Sequence, residues 1–192
     1  KLFGLFAKKS QGDNQAHNLF HYSLTSNQQV SYPSFPVEKA KAEMFTWNIS
    51  AQFRFLVVAQ PGKKSYYLQV IDTLEEAVIA EFELPLTPIK GTWVNDNGTL
   101  VVDVSSEGEN RIFVVRQENR KSVKESFTPP PGYRVRHISN TFIAVDFPQT
   151  PRLLLYNLSG KVLADVDLRP LVELGAIPFF NFNERNDIDI LL

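Results

Sequence analysis

The stretch Asp96-Asn97-Gly98-Thr99-Leu100-Val101-Val102-Asp103-Val104-Ser105-Ser106-Glu107-Gly108-Glu109-Asn110-Arg111-Ile112-Phe113-Val114-Val115 decides the fold. Asn97-Gly98 is a hairpin signal, because both residues tolerate the positive φ that such a turn needs. The run from Leu100 to Val104 is apolar but for Asp103, as a strand buried on both faces should be. A polar loop then leads to a second apolar strand, Ile112 to Val115.

Three other runs look like Leu100–Val104: Phe55-Leu56-Val57-Val58-Ala59, Phe142-Ile143-Ala144-Val145-Asp146 and Ile188-Asp189-Ile190-Leu191-Leu192. Their first residues, 55, 100, 142 and 188, step by 45, 42 and 46. Phe3-Gly4-Leu5-Phe6-Ala7 is a weaker copy 52 residues before Phe55, with the polar insertion Lys8 to His17 taking up the excess. A strand and a tight turn precede each full copy. Met44 to Ile49 leads into Ser50-Ala51-Gln52, Gly91 to Val94 into Asn95 to Gly98, Tyr133 to Ile138 into Ser139-Asn140, and Pro178 to Phe182 into Asn183 to Asn186. After each run comes a third strand, such as Tyr67 to Ile71 or Leu153 to Tyr156. The fourth strands, Ala77 to Leu84, Ser122 to Thr128 and Lys161 to Leu168, alternate apolar and polar residues, which suits a half-exposed edge. Prolines 85, 88, 129, 130, 131 and 170 fall between the units, where no central ladder needs their missing N–H. Short helical turns are expected only at Val37 to Glu43 and Arg169 to Leu174.

Tandem four-stranded antiparallel units of this length are the mark of a β-propeller. The sequence resembles the WD-like propellers, especially the Tol-system and YVTN-type repeats. The resemblance rests on the stretch quoted first and on Leu154-Leu155-Tyr156-Asn157-Leu158-Ser159-Gly160-Lys161-Val162-Leu163-Ala164. It implies an all-β propeller or propeller segment with blades of about 42–46 residues. The expected division is a partial blade at 1–41, full blades at 42–86, 87–131 and 132–170, and a partial blade at 171–192. Both ends read as cut strands, so the expectation is a processed chain or a piece of a larger propeller, with a small closed ring as the alternative.

Composition narrows the function. The 192 residues carry 20 basic and 21 acidic side chains, a net charge of −1. That balance gives no support for a nucleic-acid surface. Cysteine is absent, which excludes disulfides, Cys-ligated zinc and a thiol nucleophile. No apolar run approaches the roughly 20 residues of a membrane span. Lys1 to Lys9 could lie on a membrane surface as a short basic amphipathic helix, but Gly4 and the short length favour a strand. The compartment stays open between the cytoplasm and the periplasm or exterior.

Candidate site residues lie on the first strand of each unit, expected to face a central channel. One register puts Asn48 and Ser50, Trp93 and Asn95, Val135 and His137, and Asn181 and Asn183 on one face. Arg136 lies on the other, beside His137. The Asn and Ser side chains either line a ligand-binding channel mouth or bond the backbone of the turn that follows. Trp47 and Trp93 are expected near equivalent positions, as wedges between blades rather than as a ligand platform. Asp103 and Asp146 interrupt second strands at one relative place, where Ala59 is the counterpart in the preceding blade, and either join Asp187 and Asp189 in carboxylate pairs or a calcium site or bond a neighbouring blade's turn. No phosphate loop, nucleophile elbow or zinc motif is present. No catalytic residue, metal or cofactor is assigned. The reading is a non-catalytic scaffold that binds protein partners. The alternative is a hydrolase or lactonase of the propeller type working at the channel, which would need acidic or His residues from several blades around one point.

Overall fold

The computed structural model describes residues 2–7, 17–23, 28–31, 46–61, 65–85, 89–106, 109–118, 121–173, 179–182 and 188–191. The expected helical turns at Val37 to Glu43 lie outside them. Among them, three four-stranded antiparallel sheets follow one another along the chain. The first orders β4 (Thr46–Ile49), β5 (Phe55–Pro61), β6 (Ser65–Asp72) and β7 (Ala77–Pro85). The second orders β8 (Ile89–Val94), β9 (Leu100–Ser106), β10 (Glu109–Glu118) and β11 (Lys121–Phe127). The third orders β12 (Arg134–Ile138), β13 (Phe142–Asp146), β14 (Arg152–Asn157) and β15 (Val162–Asp167). A three-stranded sheet precedes them, β1 (Leu2–Ala7), β2 (His17–Ser23) and β3 (Gln28–Ser31). A two-stranded one follows, β16 (Phe179–Phe182) with β17 (Ile188–Leu191), after the short helix α1 (Arg169–Glu173). Residues Lys1 and Lys8–Lys9 are not described, and Leu2–Ala7 is a strand paired to β2.

Each four-stranded sheet is a blade, and burial falls across it as the sequence predicts. The second strands are sealed: β13 is buried at all five positions, and Leu56, Val57, Val58, Leu100, Val101 and Val102 are at most 1% exposed. The fourth strand β15 is exposed or half-buried throughout. Alternation along each second strand sends successive side chains to opposite faces, and each face packs against a different neighbour. Phe55, Val57 and Ala59 of the first full blade meet Val94, Leu100 and Val102 of the second. Val101, Ile112 and Val114 on the second blade's other face meet Tyr133, Val135, Ile143 and Val145 of the third. The third blade's far face gathers Phe142, Ala144, Leu153 and Leu168, with Leu171 of α1 against them. The first strands β4 and β8 pack side by side. That is the relation inner strands of adjacent blades must have. No described helix is long and apolar enough to cross a membrane.

The turns set the true register between blades. Ser50 N donates to Phe55 O, Asn95 N to Thr99 O, and Ser139 N to Phe142 O. Phe55, Thr99 and Phe142 are therefore equivalent, and so are Ser50, Asn95 and Ser139. The first β4–β5 connection is one residue longer than the β8–β9 connection, which shifts everything before it by one place. Trp47 pairs with Val58 and Trp93 with Val101, on faces of opposite sense. The two tryptophans are thus one place out of register, and only Trp93 is the expected wedge between blades. Trp93 packs into the interface with the third blade, whereas Trp47 is 59% exposed.

Candidate functional site

The candidate residues on the first strands fall into two sets once the register is known. Ser50, Asn95 and Ser139 close the turns and are buried, at 1%, 4% and 7% exposure. Ser50 Oγ accepts Phe55 N at 3.1 Å. Asn95 Oδ1 accepts Asn97 N at 3.0 Å and Thr99 N at 2.9 Å. Ser139 Oγ accepts Thr141 N and Phe142 N at 3.1 and 3.0 Å. These side chains replace the partners that turn amides would otherwise take from water. They also join blades: Asn95 Nδ2 donates to Ser139 O at 3.0 Å, and Gln52 N donates to Asp96 Oδ1 at 2.9 Å.

The second set, Asn48, Trp93 and His137, occupies one equivalent place just before the turn. Asn48 pairs with Val57, Trp93 with Val101 and His137 with Ala144. Cross-strand partners share a face, so each of the three looks toward the following blade. Asn48 and His137 are half-buried, and the His137 ring lies 5.9 Å from that of Phe142. Burial holds its imidazole below the usual histidine range.

Blade three departs from the simple alternation. Its inner pair, β12 with β13, slips register between Val135 and His137. A bulge leaves one residue unpaired and re-aims its side chain. Val135 consequently packs into the interface with the second blade while His137 is on the opposite face, so the two do not share a face as expected. Arg136, the bulged residue, donates Nε to Asp146 Oδ2 at 2.7 Å. Arg134 donates Nε and Nη2 to the two oxygens of the same carboxylate at 3.1 and 2.9 Å. Asp146 thus pairs within its own blade, not with a neighbour. The side chain of Asn181 is not described, though its backbone pairs with Asp189, and Asn183 lies outside the described residues.

Asp103 bonds across blades. It is 4% exposed and accepts the Tyr133 hydroxyl at 2.6 Å on Oδ1. Burial raises its pKa above the ordinary carboxylate value, against the opposing pull of that hydroxyl and of Lys90. The same burial, with the carboxylate beside it, pushes the Tyr133 phenol far up, so it stays a donor.

One exposed feature has no counterpart in the sequence reading. The β4–β5 turn carries Phe53, 57% exposed, and the β6–β7 turn carries Leu74, 67% exposed. With Gln52 and Arg54 they line an open cleft of about 400 Å³. Runs of apolar residues were the signal read along the chain, and single apolar residues in turns give none.

No protein-family model matches the sequence, and a search of curated proteins finds no match. The structure is similar to solved β-propellers. The Dos1 propeller superposes at a TM-score of 0.51 with 12% identity, over 81% of this chain and 40% of that one. The β-propeller domain of Cps50 (Swd1) from Myceliophteria thermophila gives 0.48 and 15%, over 79% of this chain and 53% of that one. Prolyl oligopeptidase B from Galerina marginata gives 0.45 and 9%, over 85% and 25%. At such identities the likeness concerns the fold. The chain is an all-β propeller segment, spanning less than two thirds of the length of those matched chains.

Proposed function

We propose that the chain is a non-catalytic binding module, a rigid propeller face on which protein partners assemble. The observation that carries this reading is the linkage of turns between blades. Asn95 Nδ2 on Ser139 O and Asp96 Oδ1 under Gln52 N tie three successive turns into one surface. A surface preorganised in this way loses little entropy on binding. The polar side chains that a channel enzyme would use for chemistry are engaged otherwise. Asn95 and Ser139 hold turns, and Arg136 holds Asp146 of its own blade. The resemblance to WD-like repeats supports the same reading by analogy of fold.

The test takes one preparation of the full chain through two assays. Quantitative affinity capture from its source cells should yield a partner in fixed ratio. A panel of lactones, esters and peptides should show no turnover above buffer. Turnover that disappears in Arg136→Ala or His137→Ala would reverse the assignment in favour of a propeller-type hydrolase.

A further inference from the structure

The β4–β5 turn holds an aromatic residue where the equivalent β8–β9 turn, and the β14–β15 turn of the same geometry, hold glycine. Gly98 stands three residues after Asn95 and Gly160 three after Asn157, at φ of 75° and 81°. Each donates its N–H to the carbonyl three residues back, at 3.0 Å. Phe53 stands three residues after Ser50, donates to Ser50 O at 2.9 Å, and has φ of 61°. A bulky residue in the left-handed region is a conformational outlier, and such strain persists where the surroundings over-determine it. Here they do. Thr73 Oγ1 donates to Phe53 O, Thr73 N donates to Arg54 O, and Asp96 holds Gln52 N. Three turns lock a ring that points largely into solvent, beside Leu74 and above the cleft.

Charge gives the cleft a sign. Arg54 places Nε and Nη2 on Asp72 Oδ2 at 3.0 and 2.9 Å, so those two charges cancel. Glu75 reaches the same guanidinium at 3.9 Å, and exposed Glu76 follows it in the β6–β7 turn beside Leu74, so one cation faces three carboxylates there, and Arg54 is the only cation among the four residues lining the cleft. Exposed rigid aromatic anchors with a charged rim are the composition of interface centres.

We propose that this turn face docks a peptide segment of a protein partner. The segment seats a leucine or aromatic side chain between Phe53 and Leu74 and sets a lysine or arginine against Glu75 and Glu76. The inference rests on the binding-module reading and names its site. A library of displayed random 12-residue peptides, selected on the full chain, supplies the probe, and fluorescence anisotropy of the selected peptides supplies the readout. Selected peptides should pair an apolar residue with a basic one. Their affinity should fall at least tenfold in Leu74→Ser and in Glu75→Lys with Glu76→Lys. Phe53→Gly should also fall tenfold while its thermal midpoint stays level or rises, since glycine relieves the left-handed strain. Loss of binding without loss of folding separates a docking role from a structural one. Acidic peptides, or binding indifferent to these variants but weakened by changes elsewhere, would overturn this site and leave the binding module standing. No selected peptide, together with turnover in the hydrolase panel, would overturn both.

Discussion

Removing the Tyr133 hydroxyl tests the reasoning most directly, because the bond it makes joins two blades and carries a buried charge. Asp103 lies in the second strand of one blade and Tyr133 just ahead of the first strand of the next. A hydrogen bond to an ionised group contributes about 1.5–3 kcal/mol, and a buried acceptor left unpaired costs its full desolvation. Tyr133→Phe should therefore lose about 2 kcal/mol at pH 7, or about 4–8 °C in thermal midpoint for a chain of this size. The pH dependence has a definite sign. Burial raises the Asp103 pKa in the folded chain. The folded state then binds more protons than the unfolded one above about pH 3.9, and stability falls as pH rises through that value toward the folded pKa. Asp103→Asn keeps an acceptor for Tyr133 and removes the charge. Its advantage over wild type should be absent at pH 3 and full at pH 7. The double variant Tyr133→Phe with Asp103→Ala should lose less than the single changes combined, since neither partner is stranded. Urea titrations at pH 3, 5 and 7 measure all of this. A Tyr133→Phe chain as stable as wild type at pH 7, with no gain in Asp103→Asn, would refute the account of the bond.

Other residues give equally specific outcomes. Asn95→Ala strands two turn amides and cuts the tie to Ser139, and should cost about 2–3 kcal/mol in urea unfolding; Asn95→Ser, the residue found at 50 and 139, should cost about 1. A Cβ at Gly160 would sit 2.6 Å from Phe127 Cβ at positive φ, so Gly160→Ala should cost more than 2 kcal/mol. Gly132 also has positive φ but open space around its Cβ position, and Gly132→Ala should cost only about 1 kcal/mol by the same assay. Arg134→Gln should leave the midpoint nearly unchanged, because Arg136 still holds Asp146. Arg134→Gln with Arg136→Gln leaves a buried carboxylate alone and should cost about 3 kcal/mol or more.

The strand order and the gradient of burial were legible because each blade repeats one pattern. Leu100 to Val104, Phe55 to Ala59 and Phe142 to Asp146 are apolar on both faces, and only a central strand of a sheet packed on both sides needs that. The common face of Asn48, Trp93 and His137 was legible from alternation alone, but that of Val135 was not. Asn95 and Ser50 could be placed at turns, since short polar side chains there bond the backbone. The faces of Trp47 and Val135 depend on one extra residue in a turn and on one bulge. With a side-chain period of 2, each such residue sends its side chain to the other face. Nothing in Arg134-Val135-Arg136-His137 marks a bulge, because the residue that compensates it, Asp146, lies on another strand.

One structural place shows three solutions, and the comparison explains why the interface chemistry differs along the chain. Ala59, Asp103 and Asp146 are equivalent, each four residues beyond the turn acceptors Phe55, Thr99 and Phe142. Alanine packs there as core. Asp103 is satisfied from the following blade by Tyr133, and Asp146 from its own blade by two arginines. A buried carboxylate costs more than alanine unless it is bonded, so stability alone selects alanine at all three places. The polar versions add what alanine cannot. Tyr133 reaches Asp103 only when the two blades are set at one angle and one height. The Asp146 cluster fixes the bulge that sends Val135 to the face opposite His137. Such polar bonds specify relative placement where apolar contact between blades tolerates sliding. A binding face assembled from turns of successive blades needs that placement fixed. Phe53 sits within the span of turns that Asn95 and Asp96 tie together, so its strain is held by the same inter-blade geometry.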